Sequence, residues 1–489
     1  MIQNSQERNW SRSGPLSRRQ LLEMSGLGFG SLALAFLLND QPLAGATAQS
    51  GSFYSDLKPR PGHFPGKAKA MIQLFQNGGP SQVDLFDPKP ELTKRNGQPT
   101  SQNVETFQQG NANILLGSPF QFKRWGQCGM ELAEVIPHLG GVADELCLIR
   151  SMYTEHNNHP EGVNMMETCK IFAGRPVLGA WISYALGTEN QNLPAYVVLR
   201  DPAGYNSSGK MAWSSGFLPA LYQGVEFSSA STPVHHLNPG IPVPPGQQRD
   251  NLELLAKFNA LHKREHPRES ELDARIQNYE LAARMQISAT EVVDLSKESD
   301  ASKKLYGLDN PVTAGYGTRC LMARRLIEAG VRFVQIFPPV ASWDHHNDIK
   351  GGLQSMCGQC DQGSAALIQD LKARGLLDTT IVMWTGEFGR LPITQGGSGR
   401  DHNRHGFSLL LSGGGFKKGL AYGETDEFGY KAVTNRVSVP DLQATILSLV
   451  GLDHNRLSYP FHGNLETPTD AKVNGAKVVK DLLISPPAA

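Results

Sequence analysis

The sequence predicts an α/β fold with a mostly parallel central sheet flanked by helices on both faces. Three observations predict it. Short apolar runs recur along the chain and are near-continuous rather than alternating, as strands buried on both faces of a sheet require. Stretches with apolar residues at three- and four-residue spacing lie between those runs. Gly330 and Gly375 stand where two of these helices would end, each just ahead of a strand or its lead-in.

Taken in order, the strands are expected at Ala70–Phe75, Leu146–Ile149, Tyr196–Leu199, Val331–Phe337, Thr380–Trp384 and Ser408–Leu411. Helices are expected at Leu178–Leu186, Gly315–Ala329, Gly352–Ala373 and Pro440–Val450. Residues 204–248 are rich in Pro, Gly and Ser and are expected to form a long loop region. Residues 251–305 are highly charged, with Leu272, Ile276, Tyr279, Ala283 and Ile287 spaced for one helical face, and are expected as a two-helix insertion. One domain over 49–465 is expected, followed by a peripheral extension over 466–489.

Composition narrows the function classes. The 489 residues are 39% apolar and 19% charged, enough to bury a large core. The 46 basic and 46 acidic side chains cancel, which removes the electrostatic reason to expect nucleic-acid partners. Six Cys in so long a chain make no disulfide scaffold. Cys357 and Cys360 form a lone C-x-x-C, readable as a redox pair or as two unpaired thiols on a helix.

The first 48 residues read as an address. Arg8, Arg12, Arg18 and Arg19 precede an apolar stretch from Met24 to Leu38, and Ala46-Thr47-Ala48 supplies small residues for cleavage. Ser17-Arg18-Arg19-Gln20-Leu21-Leu22 resembles the twin-arginine export signal. A periplasmic or secreted protein without stable membrane insertion of the mature chain is expected.

Polar residues gather beside the predicted strands, where ligands of open α/β sheets bind. After the first strand comes Asn77-Gly78-Gly79, with Asp84 and Asp87 close behind; after the second come Glu155, His156, His159 and Glu161. Asp344, His345 and His346 follow the fourth. Glu387 and Arg390 follow the fifth, and Arg400, Asp401, His402 and His405 lead into the last. Carboxylate oxygens and imidazole nitrogens in this mixture suit a divalent cation, with zinc first and calcium or magnesium as alternatives. A buried Glu387 must be paired or sit on a metal, and Arg390 and Arg400 could pair it or grip an anionic substrate.

The segments NGGPSQVDLFDPKP, LGAWISYALGTENQNLPAYVVL, WDHHN, LLDTTIVMWTGEFGR, GRDHN, LLLSGGG and VPDLQATILSLVGLD together resemble the DUF1501 family. The family is a group of exported bacterial proteins assigned to the alkaline phosphatase/sulfatase superfamily. The resemblance implies that superfamily's fold and metal-assisted chemistry at phosphate or sulfate esters. It implies Asp344, His346 and His402 or His405 as ligands of one metal. The second-metal positions fall on Asn77 or Gly78, Glu387 and Phe388, where Phe388 supplies no ligand. The sulfatase signature C-x-P-S-R is absent, and His159 occupies the segment nearest the nucleophile's place.

The expectation is therefore an exported hydrolase of a small anionic ester or of a sulfated or phosphorylated glycan. Glu387, His159, Arg390 and Arg400 are its candidate catalytic residues. Asp344, His346, Glu387, Asp401, His402 and His405 are its candidate metal ligands. The alternative is a non-catalytic exported binding protein with a degenerate site of the same kind.

Overall fold

The apolar runs become the strands of one sheet. In this computed structural model, which describes residues 56–229, 244, 246–266, 270–339 and 342–486, the strands are β1 (Ala70–Phe75), β2 (Leu146–Tyr153), β3 (Tyr196–Arg200), β4 (Val225–Glu226), β5 (Phe333–Phe337), β6 (Thr380–Thr385), β7 (Phe407–Ser412), β8 (Leu420–Tyr422) and β9 (Val437–Ser438). Their spatial order is β8-β2-β7-β6-β1-β5-β3-β4, with β9 also paired to β2. Every pairing is parallel except those of β7, which runs antiparallel to both β6 and β2. The apolar run at Ser408–Leu411 is thus a reversed strand in an otherwise parallel sheet. β1, β6 and β7 are buried along their whole length. Each fully buried Val, Leu or Ile there contributes about 1.5–3 kcal/mol from apolar burial.

The longer helices are α1 (His159–Thr168), α2 (Leu178–Leu186), α3 (Gln247–Glu265), α4 (Ser270–Val293), α5 (Ala314–Glu328), α6 (Ile349–Ala373) and α7 (Val439–Leu449). Alternation along the strands sorts them onto two faces. Gln76 of the β1 exit meets Tyr316 of α5, and Leu74 and Val382 face Ile368 of α6. On the other face Gln73 bonds Glu167 of α1, while Gly179 of α2 lies against Tyr196 and Phe333. Gly330 and Gly375 follow α5 and the α6 exit with φ of +87° and +69°, the left-handed geometry of a helix stop.

Two expectations change. In α4 the buried stripe is Ala274, Leu281, Met285 and Ala289, whereas Tyr279 is exposed. The face that packs is offset because the body, not helical periodicity alone, selects it. The carboxyl-terminal segment is held rather than peripheral: Leu482 and Leu483 are buried, and backbone bonds join Lys417 to Leu482 and Ile484 to Gly415. The described residues all fall in one compact unit. None of their helices is long and apolar enough to cross a membrane. The leader lies outside the described residues, as does part of the expected loop region, from 230 to 243.

Candidate metal centre

The parallel strands deliver their loops to one edge. β1, β5 and β6 are neighbours, so the segments after them bring Gly78, Asp344 and Glu387 together. β2 ends at the same edge and leads into Asn157 and His159. Because β7 is reversed, the residues before it, not after it, reach that edge; this is how His402 arrives. A two-residue antiparallel ribbon pairs Arg390 with His402 and fixes both. Gly78 lies at φ +116°, and a Cβ there would come within 2.7 Å of the Asp344 and Trp343 amides. Only glycine lets these two loops approach so closely.

His159, Asp344 and His402 place ligand atoms within 4.8 Å of one another, and His346 joins them through Asp344 and His402. His402 Nε2 lies 3.1 Å from His346 Nε2 and 3.2 Å from Asp344 Oδ1. His346 Nε2 is 2.7 Å from Asp344 Oδ1, and His159 Nε2 is 3.2 Å from Asp344 Oδ2. That last contact has ion-pair distance but not hydrogen-bond alignment, since His159 Nε2 is buried with no hydrogen-bond partner. Ligands at zinc–nitrogen distance in a tetrahedron stand about 3.3 Å from one another. Three of the four separations approach that edge length.

The far side of each ring is tied. His402 Nδ1 bonds the Asn157 carbonyl at 2.6 Å, and His346 Nδ1 faces Gln395 Oε1 at 2.5 Å. Gln395 Nε2 donates to the Gln109 carbonyl, which turns its oxygen toward His346. His159 Nδ1 bonds Glu387 Oε1 at 2.6 Å. Each Nδ1 is therefore turned to an acceptor, and the Nε2 atoms of His346 and His402 face one another at 3.1 Å, the first also 3.3 Å from Gln108 Nε2. Outer-sphere acceptors of this kind are what orient metal-binding histidines.

Charge completes the fit. Burial opposes ionisation of Asp344, but His159, His346, His402 and Arg390 together hold it far below the usual carboxylate range. Burial brings His402 down to about 4, so its ring is neutral near pH 7. Burial also works against the proton on His159, yet Asp344 and Glu387 outweigh it and raise the group to about 9. A cation entering here competes with that proton for the same electron pair.

The other candidates are placed differently. Glu387 is fully buried, and its two oxygens accept the Gly78 amide at 2.9 and 3.1 Å besides His159. It holds a histidine; it does not face the metal position. Arg390 is also buried and spends its donors on the Gly79 and Arg400 carbonyls and on Asp344 at 2.6 Å. Arg400 grips Asp84 with two bonds of 2.7 and 2.9 Å, both groups being fully buried. Neither guanidinium is free to hold a substrate anion. Asp401 has an oxygen within 4.8 Å of ligand atoms on His346 and His402, but its carboxylate accepts the Phe107, Gln108 and His402 amides and Asn111 Nδ2. His405 lies apart from the cluster, bonded to Glu105 at 2.7 Å.

The family model described as "Protein of unknown function (DUF1501)" matches residues 68–483. The chain belongs to this family. No curated protein matches this DUF1501 member. Solved structures similar to it include a protein in the alkaline phosphatase superfamily from Vibrio parahaemolyticus, at 11% identity, covering 82% of this chain and 71% of that one with a TM-score of 0.35. The lipoteichoic acid synthase of Listeria monocytogenes is similar at 9% identity over 82% and 76% of the two chains, with a TM-score of 0.32. A phosphonate monoester hydrolase from Silicibacter pomeroyi is similar at 11% identity over 72% and 73%, with a TM-score of 0.32.

Sequence reading of the DUF1501 chain missed Asn157 and Gln395 as supports of the centre, and took Gly78 as a glycine near a ligand rather than as the amide that holds Glu387. Asn157 acts through its backbone carbonyl, which carries no mark in a sequence. Phe107 and Gln108 also escaped it: the Phe107 ring stacks on His402 with centroids 5.1 Å apart, and Gln108 Nε2 is 3.3 Å from His346 Nε2. Phe388 packs between His159 and His402, at centroid distances of 5.0 and 4.6 Å, and offers no ligand atom.

Proposed function

We propose that the chain is an exported, metal-dependent hydrolase of phosphate or sulfate esters working with one cation. The observation that carries this reading is the convergence of His159, Asp344, His346 and His402, with every imidazole Nδ1 tied to an acceptor behind it. His159, His346 and His402 would bind through Nε2, and Asp344 through its carboxylate. A divalent cation there supplies Lewis acidity toward an ester oxygen and acidifies water.

The chain's own part is positional. Glu387 keeps His159 turned inward, Arg390 steadies Asp344, and Phe388 fills the space where another ligand would stand. Asp344 and His346 keep 20% and 16% of their side-chain surface exposed, while His402 keeps none, so water and substrate reach the centre from the Asp344 side. Export through the twin-arginine route accords with loading of the cation before transit.

The alternative of a binding protein without turnover is favoured by one observation. Four protein ligands make a closed set, typical of structural sites, whereas catalytic sites keep a position open. The test strips metal from the purified mature chain, reloads zinc, magnesium or calcium, and screens aryl phosphate, phosphodiester and aryl sulfate hydrolysis. The hydrolase reading expects metal-restored turnover that Asp344→Ala and His402→Ala abolish. Stoichiometric metal that survives both changes, or bound metal with no turnover on any ester, defeats it.

A further inference from the structure

We propose that residues 100–113 form a carbohydrate subsite beside the metal centre, so that the ester acted on is borne by a sugar. The proposal rests on the hydrolase reading for the reacting end of the substrate, and on independent observations for the rest. A cleft of about 780 Å³ opens along this stretch. Its lining carries six carboxamides, Gln102, Asn103, Gln108, Gln109, Asn111 and Asn113, together with three hydroxyl side chains and no charged one.

That chemistry selects a ligand class. A carboxamide offers one acceptor and two donors in a plane, and a hydroxyl both donates and accepts, so the match is to a polyhydroxylated, uncharged surface. An anionic body would call for Arg, Lys or a helix terminus in the wall. An apolar ligand would call for an apolar lining. The nearby charge is turned away: Glu105 pairs with Arg404 and His405 at 2.9 and 2.7 Å. Asn103, Gln109 and Asn113 are exposed and line the cleft, so their carboxamides are open to a ligand.

The cleft is fastened to the centre. Asp401, next to His402, accepts the Phe107 and Gln108 amides at 2.8 Å and Asn111 Nδ2 at 2.7 Å. Phe107 lays one face on His402 and leaves 40% of its surface exposed, a platform for the C–H face of a sugar ring at the junction. A sugar lying among the carboxamides thus presents its ester toward Asp344 and His346.

The probes are neutral oligosaccharides, α- and β-linked hexamers of glucose, galactose and N-acetylglucosamine, titrated calorimetrically into the metal-stripped mature chain. At least one series is expected to bind. Asn103→Ala, Gln109→Ala and Asn113→Ala together, all at exposed positions, are expected to weaken it about tenfold or more. Metal content should be unchanged in that variant. With the sulfated or phosphorylated form of the same sugar, it should raise KM and leave kcat alone. Aryl esters hydrolysed while no sugar binds, or sugar binding untouched by the triple change, overturns the subsite and leaves the hydrolase standing. Sugar binding that the triple change abolishes, with no ester cleaved, supports the subsite and removes the hydrolase.

Discussion

Replacing Glu387 by Gln preserves side-chain shape and removes the charge. The native carboxylate, wholly buried, accepts His159 Nδ1 at 2.6 Å and the Gly78 amide at 2.9 and 3.1 Å. A carboxamide oxygen in the place of Oε1 can still accept both donors, but its NH2 then stands 3.1 Å from the Gly78 N–H and the negative charge is gone. The His159 ring is then held by a neutral acceptor in a repelling contact instead of by a carboxylate, which weakens the partner that aims Nε2 at Asp344. Loss of an outer-sphere partner of this kind lowers metal affinity about 10- to 100-fold, or about 1.4–2.7 kcal/mol. Competition of zinc between the protein and a chromophoric chelator measures it, with circular dichroism of the metal-free variant confirming the fold. A folded Glu387→Gln protein that binds zinc as tightly as the parent would refute the role given to His159.

Three further outcomes are expected. Burial raises Glu167 to about 8, above its unfolded value, so the stability it permits is full in acid and is lost as pH rises through that folded value. Glu167→Gln should therefore gain in melting temperature over the parent as pH climbs from about 5 to 8.5, and a gap independent of pH would contradict this. Arg400→Met leaves Asp84 buried without its cation and should lose about 3–5 kcal/mol in urea unfolding; unchanged stability with a raised KM would return Arg400 to substrate binding. Of the six thiols, only Cys128 is exposed, the other five being buried and unbonded, so Ellman's reagent should label one thiol in the native chain and six in denaturant. Labelling of four in denaturant would reveal a disulfide.

The strands of the inner sheet were legible because runs such as AMIQLF and TIVMW are apolar at nearly every position, and burial on both faces accounts for that pattern. The same uniformity hides direction: an apolar run reads alike forwards and backwards, so the reversal of β7 could not be seen in Ser408–Leu411. That reversal decides the site, since it brings His402 rather than the residues after β7 to the working edge. Asp344, His346, His402, His159 and Glu387 were legible as polar residues beside buried strands. The division of labour among them was not. Whether Arg400 faces a ligand or Asp84 depends on a contact across 316 positions of sequence, and no local pattern records it. His405 and Asp401 share a loop with His402, but the short ribbon through Arg390 turns only His402 inward.

The most direct measurement is an anomalous difference map at the zinc edge from crystals of the mature chain grown with zinc. The account predicts one strong peak bonded to His159 Nε2, His346 Nε2, His402 Nε2 and an Asp344 oxygen, each at about 2.0–2.2 Å. A peak elsewhere, or none with the three imidazoles still converged, would contradict it.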